Sequence, residues 1–437
     1  GRHHHDIGWN DAAILQFDPL ARANNKRLAA EIAAFIELLL AAEQKLKLRE
    51  RTRRPADHDN FALAVEALVC NLLLSSQANN AVLAVPRSHK MMWGKSRYRN
   101  AVYGEHFVGL LNLLSRLRFV SELTRGYRFS NTLKQPTTIK PTKKFLRRFS
   151  ISEARANWFK QAEEPEVLLL RSSKDAEGVS SLIDYKETAA TTKLRKEVRD
   201  INTFLATARI SLSTQDGKAS IDRDRNVIGV HQRSIRRIFN NGSWNEGGRL
   251  FGGFWMNMER GQRFTSIRID GQRIANVDFS ALFPRLAYTL VKAKPPRGDL
   301  YDYQTVPGDR DGWKKLTNAL LFAAKPMKSW PTETKDYFSS EVKLSAAIGA
   351  IKEKHAPIAA FFEQGVGYHL MRIESDILIQ ILARLRDESI VALPLHDSVL
   401  VAKKFASRAK KLMEAEFKRR TGSSAVIVNI DTGRRKL

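Results

Sequence analysis

Between Asn10 and about Leu48, alanine and leucine recur at spacings of three and four, the period of a helix with one face turned to a core. Arg49 to Arg54 interrupts that pattern with charge before Pro55, and a second helical stretch runs from Phe61 to Leu74. After Ala81–Pro86 and the basic, aromatic stretch Arg87–Tyr103, an amphipathic helix is predicted near His106–Leu117. Phe119–Leu123 and Tyr127–Ser130 read as two short strands, with Thr124-Arg-Gly126 as their turn. Helix, helix and a two-stranded wing describe either a winged-helix module that grips a duplex backbone or an ordinary small α+β subdomain. Lys134–Phe149 carries Lys134, Lys140, Lys143, Lys144, Arg147 and Arg148 with no acid, as a solvated linker or the lining of a nucleic-acid path would. Thr191–Ala208 then sets Leu194, Val198, Ile201 and Leu205 on one side of an exposed helix.

The second half changes character. Arg273–Tyr288 reads as a short buried strand ending at Asp278, a sharp turn, and a helix that Pro284 can enter in its first turn. Leu393–Ala402 is another apolar run, interrupted by Asp397 with His396 before it. Helices are predicted from about 311 to 388, and a last strand at Ala425–Ile430. The coarse architecture is therefore α+β, a split sheet with a helical insertion. A carboxylate on an apolar strand is costly to bury unless a cation meets it. Asp278 and Asp397 either share one divalent-metal site or are unrelated strand ends.

The insertion supplies cations. Arg310, Lys314, Asn318 and Phe322 follow one another at steps of four and share a helical face. Arg310 and Lys314 could clamp a polyphosphate, and Phe322 would offer a flat apolar surface to a base; an ordinary charged surface helix has the same spacing. Gln232–Phe254 mixes Arg233, Arg236, Arg237 and Arg249 with Phe239, Trp244, Phe251 and Phe254, a blend suited to sugar-phosphate and base faces.

Composition narrows the partners. The 437 residues carry 73 lysines and arginines against 46 acids, a formal charge of +27, and nucleic acid is the default partner for such an excess. With 43% hydrophobic residues the chain can fill several cores. No apolar run approaches the roughly 18 residues of a spanning helix, so no membrane partner is expected. No amino-terminal signal pattern is present, and a reducing, cytoplasmic setting is expected. Cys70 is the single cysteine, which excludes intrachain disulfides and a thiolate zinc cage. His3, His4 and His5 are set aside from metal arguments.

The order of these features adds a resemblance. Asn276-Val-Asp-Phe-Ser-Ala-Leu-Phe-Pro-Arg285 resembles the first palm motif of the family A DNA polymerases and their relatives, the single-subunit phage RNA polymerases. Leu395-His-Asp-Ser398 resembles the second palm motif, and Gly247-Gly-Arg-Leu250 the segment that contacts primer-template. Arg310, Lys314 and Phe322 are similar to the fingers-helix pattern, Asp299-Leu-Tyr301 to the segment before it, and Val426–Gly433 to the closing strand. The resemblance covers roughly residues 245 to 437.

It implies a right-hand polymerase: a basic helical or winged-helix-like nucleic-acid-binding region over 1–150, a thumb-like or connecting region over 151–245, an antiparallel palm over 246–298 and 391–437, and helical fingers over 299–390. It also implies two-metal nucleotidyl transfer. Asp278, Asp397 and the Phe279 carbonyl would hold two Mg2+ ions, or Mn2+, while Lys314 neutralises and protonates the leaving group. Arg310, Phe322, Phe283, Asn318 and Tyr301 would contact the dNTP. Arg249, Arg285, His396, Arg236 and Arg237 would contact the DNA primer-template. Arg372, Glu374 and Asp376 are expected to be structural or template-facing.

Three departures bear on substrate. Ala323 replaces a glycine and Asn318 an aromatic residue. Ser398 stands where the DNA polymerases have glutamate and the RNA enzymes serine. Phe283, at a position that is bulky in the DNA polymerases and glycine in the RNA enzymes, would clash with a 2′-hydroxyl. The implied activity is a DNA polymerase of DNA replication, without proofreading, from a phage, plasmid or mobile element. An RNA polymerase, primase or template-independent terminal transferase on the same palm, and an inactive DNA-binding replication protein, are the alternatives.

Overall fold

The computed structural model describes residues 13–78, 80–86, 96–124, 127–128, 134–149, 156–213 and 225–434. His3–His5, the start of the Arg87–Tyr103 stretch and the Arg125-Gly126 turn lie outside the described residues. The fold is mixed α+β and forms two compact units. One comprises 1–166, 205–234 and 252–268, the other 167–204, 235–251 and 269–437. Within 151–245, residues 167–204 and 235–245 belong to the second unit and the rest to the first, as does 252–268.

In the first unit, Asn25 caps the helix Lys26–Lys45 by accepting from the Leu28 N–H. Leu28, Ile32, Phe35 and Leu39 bury its apolar stripe. Phe35 meets the rings of Phe119 at 5.0 Å and Phe149 at 5.2 Å. The helix Pro55–Ser76 opens on proline and is buried on most sides. Among the described residues it alone is long and apolar enough to cross a membrane, although Glu66 and Asn71 interrupt its apolar run; 67% of its apolar window is buried, as in a core helix. Inside it Cys70 is fully buried, and burial pushes its thiol up.

The four-stranded sheet of this unit has the order Ile14–Gln16, Val82–Val85, Thr137–Pro141, Val120–Thr124, with the first pair parallel and the others antiparallel. Among the described residues, the expected wing strands Phe119–Leu123 and Tyr127–Ser130 are not seen paired with each other. Val120–Thr124 pairs with Thr137–Pro141, and Tyr127–Arg128 with Lys134–Gln135. The supposed linker therefore supplies strands and the helix Lys143–Arg148, which Thr142 caps and Phe145 anchors. Thr137, Thr138 and Ile139 are all buried, and this β-branched triplet outweighs the lysines around it.

In the second unit a small sheet joins Leu182–Ile183, Leu168–Arg171, Ile235–Phe239 and Gly247–Gly252. The helix Ala189–Ala206 buries all four residues of its apolar side, so it is less exposed than its charges suggest. The larger sheet is antiparallel, in the order Ala392–Leu395, Ser398–Ala402, Ile274–Phe279, Val428–Asp431. Helix Ala406–Thr421 packs on it, with the Phe279 and Phe417 rings 6.2 Å apart. Between Ile274–Phe279 and the other three strands, the chain forms the helices Leu282–Leu290, Arg310–Phe322, Leu344–Lys354 and Gly367–Asp387.

Candidate active site

Ile274, Val277 and Phe279 bury one strand of the larger sheet and leave the Asp278 side chain half-buried near its end. Asp278 is the cross-strand partner of Ser398. The next strand pair, Leu395 with Ser398, is closed by the two-residue loop His396-Asp397. His396 takes a left-handed φ of 56°, unusual without glycine, and costs the turn about 1 kcal/mol. The Ser398 hydroxyl donates to the Leu395 carbonyl at 2.7 Å and ties the loop shut. The Phe279 N–H donates to the Asp397 carbonyl at 3.3 Å. Two carboxylates far apart in sequence are thereby set side by side at one end of the sheet.

Their electrostatics report the proximity. Burial first, and the Asp397 charge second, push Asp278 up to about 6. Asp431, on the strand at its other side, adds to the shift, and Lys314 draws it back. Asp397 is raised by burial, against backbone hydrogen bonding and the pull of Lys314, Arg249 and His396. Lys314 is exposed and makes no hydrogen bond or ion pair with the described residues, so its ammonium is available to a ligand.

Lys314 lies on the helix Arg310–Phe322, whose opposite face buries Trp313, Leu316, Thr317 and Leu320. Exposed Arg310 pairs with Asp299 at 2.6 Å and 3.2 Å and lies over the Tyr301 ring. Tyr301 is buried, its hydroxyl 3.5 Å from the half-buried Asn318 Oδ1. The Phe322 ring meets Phe283 at 5.4 Å and Tyr368 at 5.3 Å, both edge-on. Gly367 lies beneath it: a Cβ there would stand 2.5 Å from the Phe322 ring.

The remaining cations divide. Gly247 and Gly248 have φ of 81° and 85°, and a Cβ on Gly248 would stand 2.7 Å from Ser375 Oγ. That close approach of strand to helix brings Arg249 onto Glu374, at 3.0 Å and 3.5 Å, with its guanidinium 5.4 Å from the Phe283 ring centre. Arg285 and Arg237 are turned into the protein. Arg285 is buried and donates to the Ser280 and Ala425 carbonyls. Arg237 is buried at 1% exposure, bound to the Gly248 carbonyl, Ser375 and Asp376, and burial draws it down to about 10. Such well-paired guanidiniums hold segments together. Arg236 is half-buried on the same strand, and His396 is exposed at its loop tip.

Sequence reasoning gave Glu374 no chemical part and passed over Asp431 and His355. Glu374 sits in the apolar stripe Leu370, Ile373, Ile377, Ile381, which marks it as inward-facing. Burial pushes it up to about 7 despite Arg249. His355 is fully buried. Its Nε2 donates to the Leu300 carbonyl at 2.9 Å, which leaves Nδ1 to accept from the Tyr288 hydroxyl at 2.8 Å. Tyr303, 3.0 Å from His355 Nε2, reaches Thr317 at 2.8 Å, so the imidazole links the helix after Asp278 to the helix of Lys314. Burial draws His355 down to about 4. The unfolded chain binds that proton near pH 6.5, so the contribution is full above about 6.5 and declines as pH falls to about 4, by up to about 3 kcal/mol. In urea melts, the stability difference between the native chain and His355→Gln should shrink over that window; a pH-independent difference would contradict the buried neutral ring.

The donor set fits a magnesium ion. Asp278 and Asp397 offer hard oxygen donors whose negative charge Lys314 offsets only in part. No group of three His, Cys, Asp or Glu side chains among the described residues forms a ready-made cage. Mg2+ is ordinarily held by one or two carboxylates together with substrate phosphates, and Mn2+ accepts the same donors.

No family model and no curated protein sequence matches the chain. Among solved structures, it is similar to one titled the POL domain of Pol1 from M. smegmatis in complex with DNA primer-template and dNTP, with a TM-score of 0.32 and 11% identity. The match covers 56% of this chain and 51% of that one, about half the neighbour's length. A likeness this slight carries no argument about activity.

Proposed function

We propose that the protein is a template-directed DNA polymerase that adds deoxynucleotides to a primer 3′-end. The observation that supports this most is the meeting of Asp278 and Asp397 at one end of an antiparallel sheet, within electrostatic reach of the exposed Lys314. On this reading the larger sheet is the palm, the helices of 299–390 are the fingers, and the basic amino-terminal unit holds nucleic acid.

Asp278, Asp397 and the Phe279 carbonyl would hold two Mg2+ ions, which when bound supply Lewis-acid activation of the primer hydroxyl and of the leaving pyrophosphate. Lys314 neutralises the triphosphate and gives a proton from Nζ to the departing pyrophosphate oxygen. Arg310 exchanges Asp299 for the terminal phosphate; an exposed ion pair contributes only about 0–1 kcal/mol, so the exchange costs little. The Phe322 face stacks near the nascent base pair, with Asn318 beside it and Tyr301 beneath. Phe283 occupies the space a 2′-hydroxyl would need, which selects deoxynucleotides. Arg249 and His396 lie on the primer side. The buried Ser398 hydroxyl serves the hairpin loop and so weighs little toward ribonucleotides.

The test gives purified protein Mg2+, a primed template, and either all dNTPs or all NTPs, with unprimed and template-free controls. Extension of the primer with dNTPs alone supports the proposal. Growth with NTPs, or without template, favours the RNA polymerase, primase or terminal-transferase readings. DNA binding with no synthesis favours a replication protein without catalysis.

A further inference from the structure

We infer that Glu374 is a positioning residue for sugar selection, acting through Arg249 on Phe283. The inference rests on the polymerase reading and adds a residue to it. Glu374 is 2% exposed, too deep to touch a nucleotide, and its carboxylate grips one edge of the Arg249 guanidinium at 3.0 Å and 3.5 Å. An arginine reaching from a glycine-opened strand has many rotamers; this contact selects one. The selected rotamer holds the cation 5.4 Å from the Phe283 ring centre, on the ring's face. Phe283 meets Phe322 edge-on, and Phe322 is confined in turn by Tyr368 and the bare Gly367 backbone. The gate ring is thus held between a fixed cation and a fixed aromatic neighbour. Without Glu374 the guanidinium leaves, the ring gains a second rotamer, and space opens for a 2′-hydroxyl.

The measurement is kcat/KM of the full chain for a dNTP and the matching NTP on one primer-template with Mg2+. Glu374→Ala should raise the NTP relative to the dNTP about tenfold. Glu374→Gln, which keeps an acceptor for Arg249 Nε, should stay within about threefold of the native ratio. Arg249→Met removes the cation while leaving a carboxylate that can protonate in place, and should reproduce the tenfold change even if Glu374→Ala folds poorly. Parallel losses for both nucleotides at an unchanged ratio, in Arg249→Met or in a folded Glu374→Ala, overturn the inference. Phe283→Ala is read alongside. If it relaxes selection and these variants do not, the positioning role alone fails; if it does not either, the gate reading fails and this inference with it. A native chain that extends with neither substrate removes the polymerase reading and everything built on it.

Discussion

Asp397→Asn should lower single-nucleotide incorporation by at least about a thousandfold, some 4 kcal/mol of transition-state stabilisation, while primer-template affinity changes by less than about threefold. Asparagine keeps the shape of the loop tip and one oxygen, so the His396-Asp397 turn survives. What it loses is the charge that would hold a divalent ion beside Asp278. The same substitution should stabilise the fold. Asp278 is held up at about 6 in part by Asp397, and removing that repulsion should return about 1 kcal/mol after solvent screening. Activity lost together with a melting temperature raised by roughly 2–4 °C is a signature that a simple folding defect cannot give. Retained synthesis would remove Asp397 from the chemistry. Lost synthesis with a lowered melting temperature would show that the carboxylate is structural.

Phe283→Ala should raise the use of ribonucleotides relative to deoxynucleotides about a hundredfold, close to 3 kcal/mol of lost discrimination. The ring is half-buried and lies between Phe322 and the Arg249 cation, so truncation opens a space on the side where the sugar would enter. Some loss of dNTP efficiency should accompany it, because Phe322 loses an edge-on partner worth about 0.5–1.5 kcal/mol. The ratio separates the two effects. Equal losses for both nucleotide types would mean that the ring supports Phe322 and selects nothing.

The pattern of apolar runs was enough to locate Asp278 on a strand, because a lone carboxylate stands out between Val277 and Phe279, but it also set Asp397 on a strand, whereas that residue lies in the turn between Leu395 and Ser398. Their register was not legible, since the pairing of Asp278 with Ser398 spans a helical insertion that no local periodicity encodes. The arginines were harder. Arg237 and Arg285 look like the exposed cations around them, and what draws them inside includes partners remote in sequence, Asp376 for Arg237 and the Ala425 carbonyl for Arg285. The amino-terminal hairpin was misjudged for a related reason: Lys134 and Lys140 dominate the stretch by charge, whereas Thr137, Thr138 and Ile139 decide its structure. Glu374 could have been found from its place in an apolar helical stripe. His355 carried no such sign, because its partners Leu300, Tyr288 and Tyr303 come together only when the helices pack.

The buried thiol of Cys70 has a practical consequence. With the single cysteine sealed in a helix core, the surface offers no competing thiol. One engineered cysteine at the exposed Asp309, just ahead of the Arg310–Phe322 helix, would take a maleimide fluorophore by itself, with no need for a cysteine-free background. Rearrangement of that helix on addition of a nucleotide could then be timed in a stopped-flow fluorimeter on an otherwise native chain.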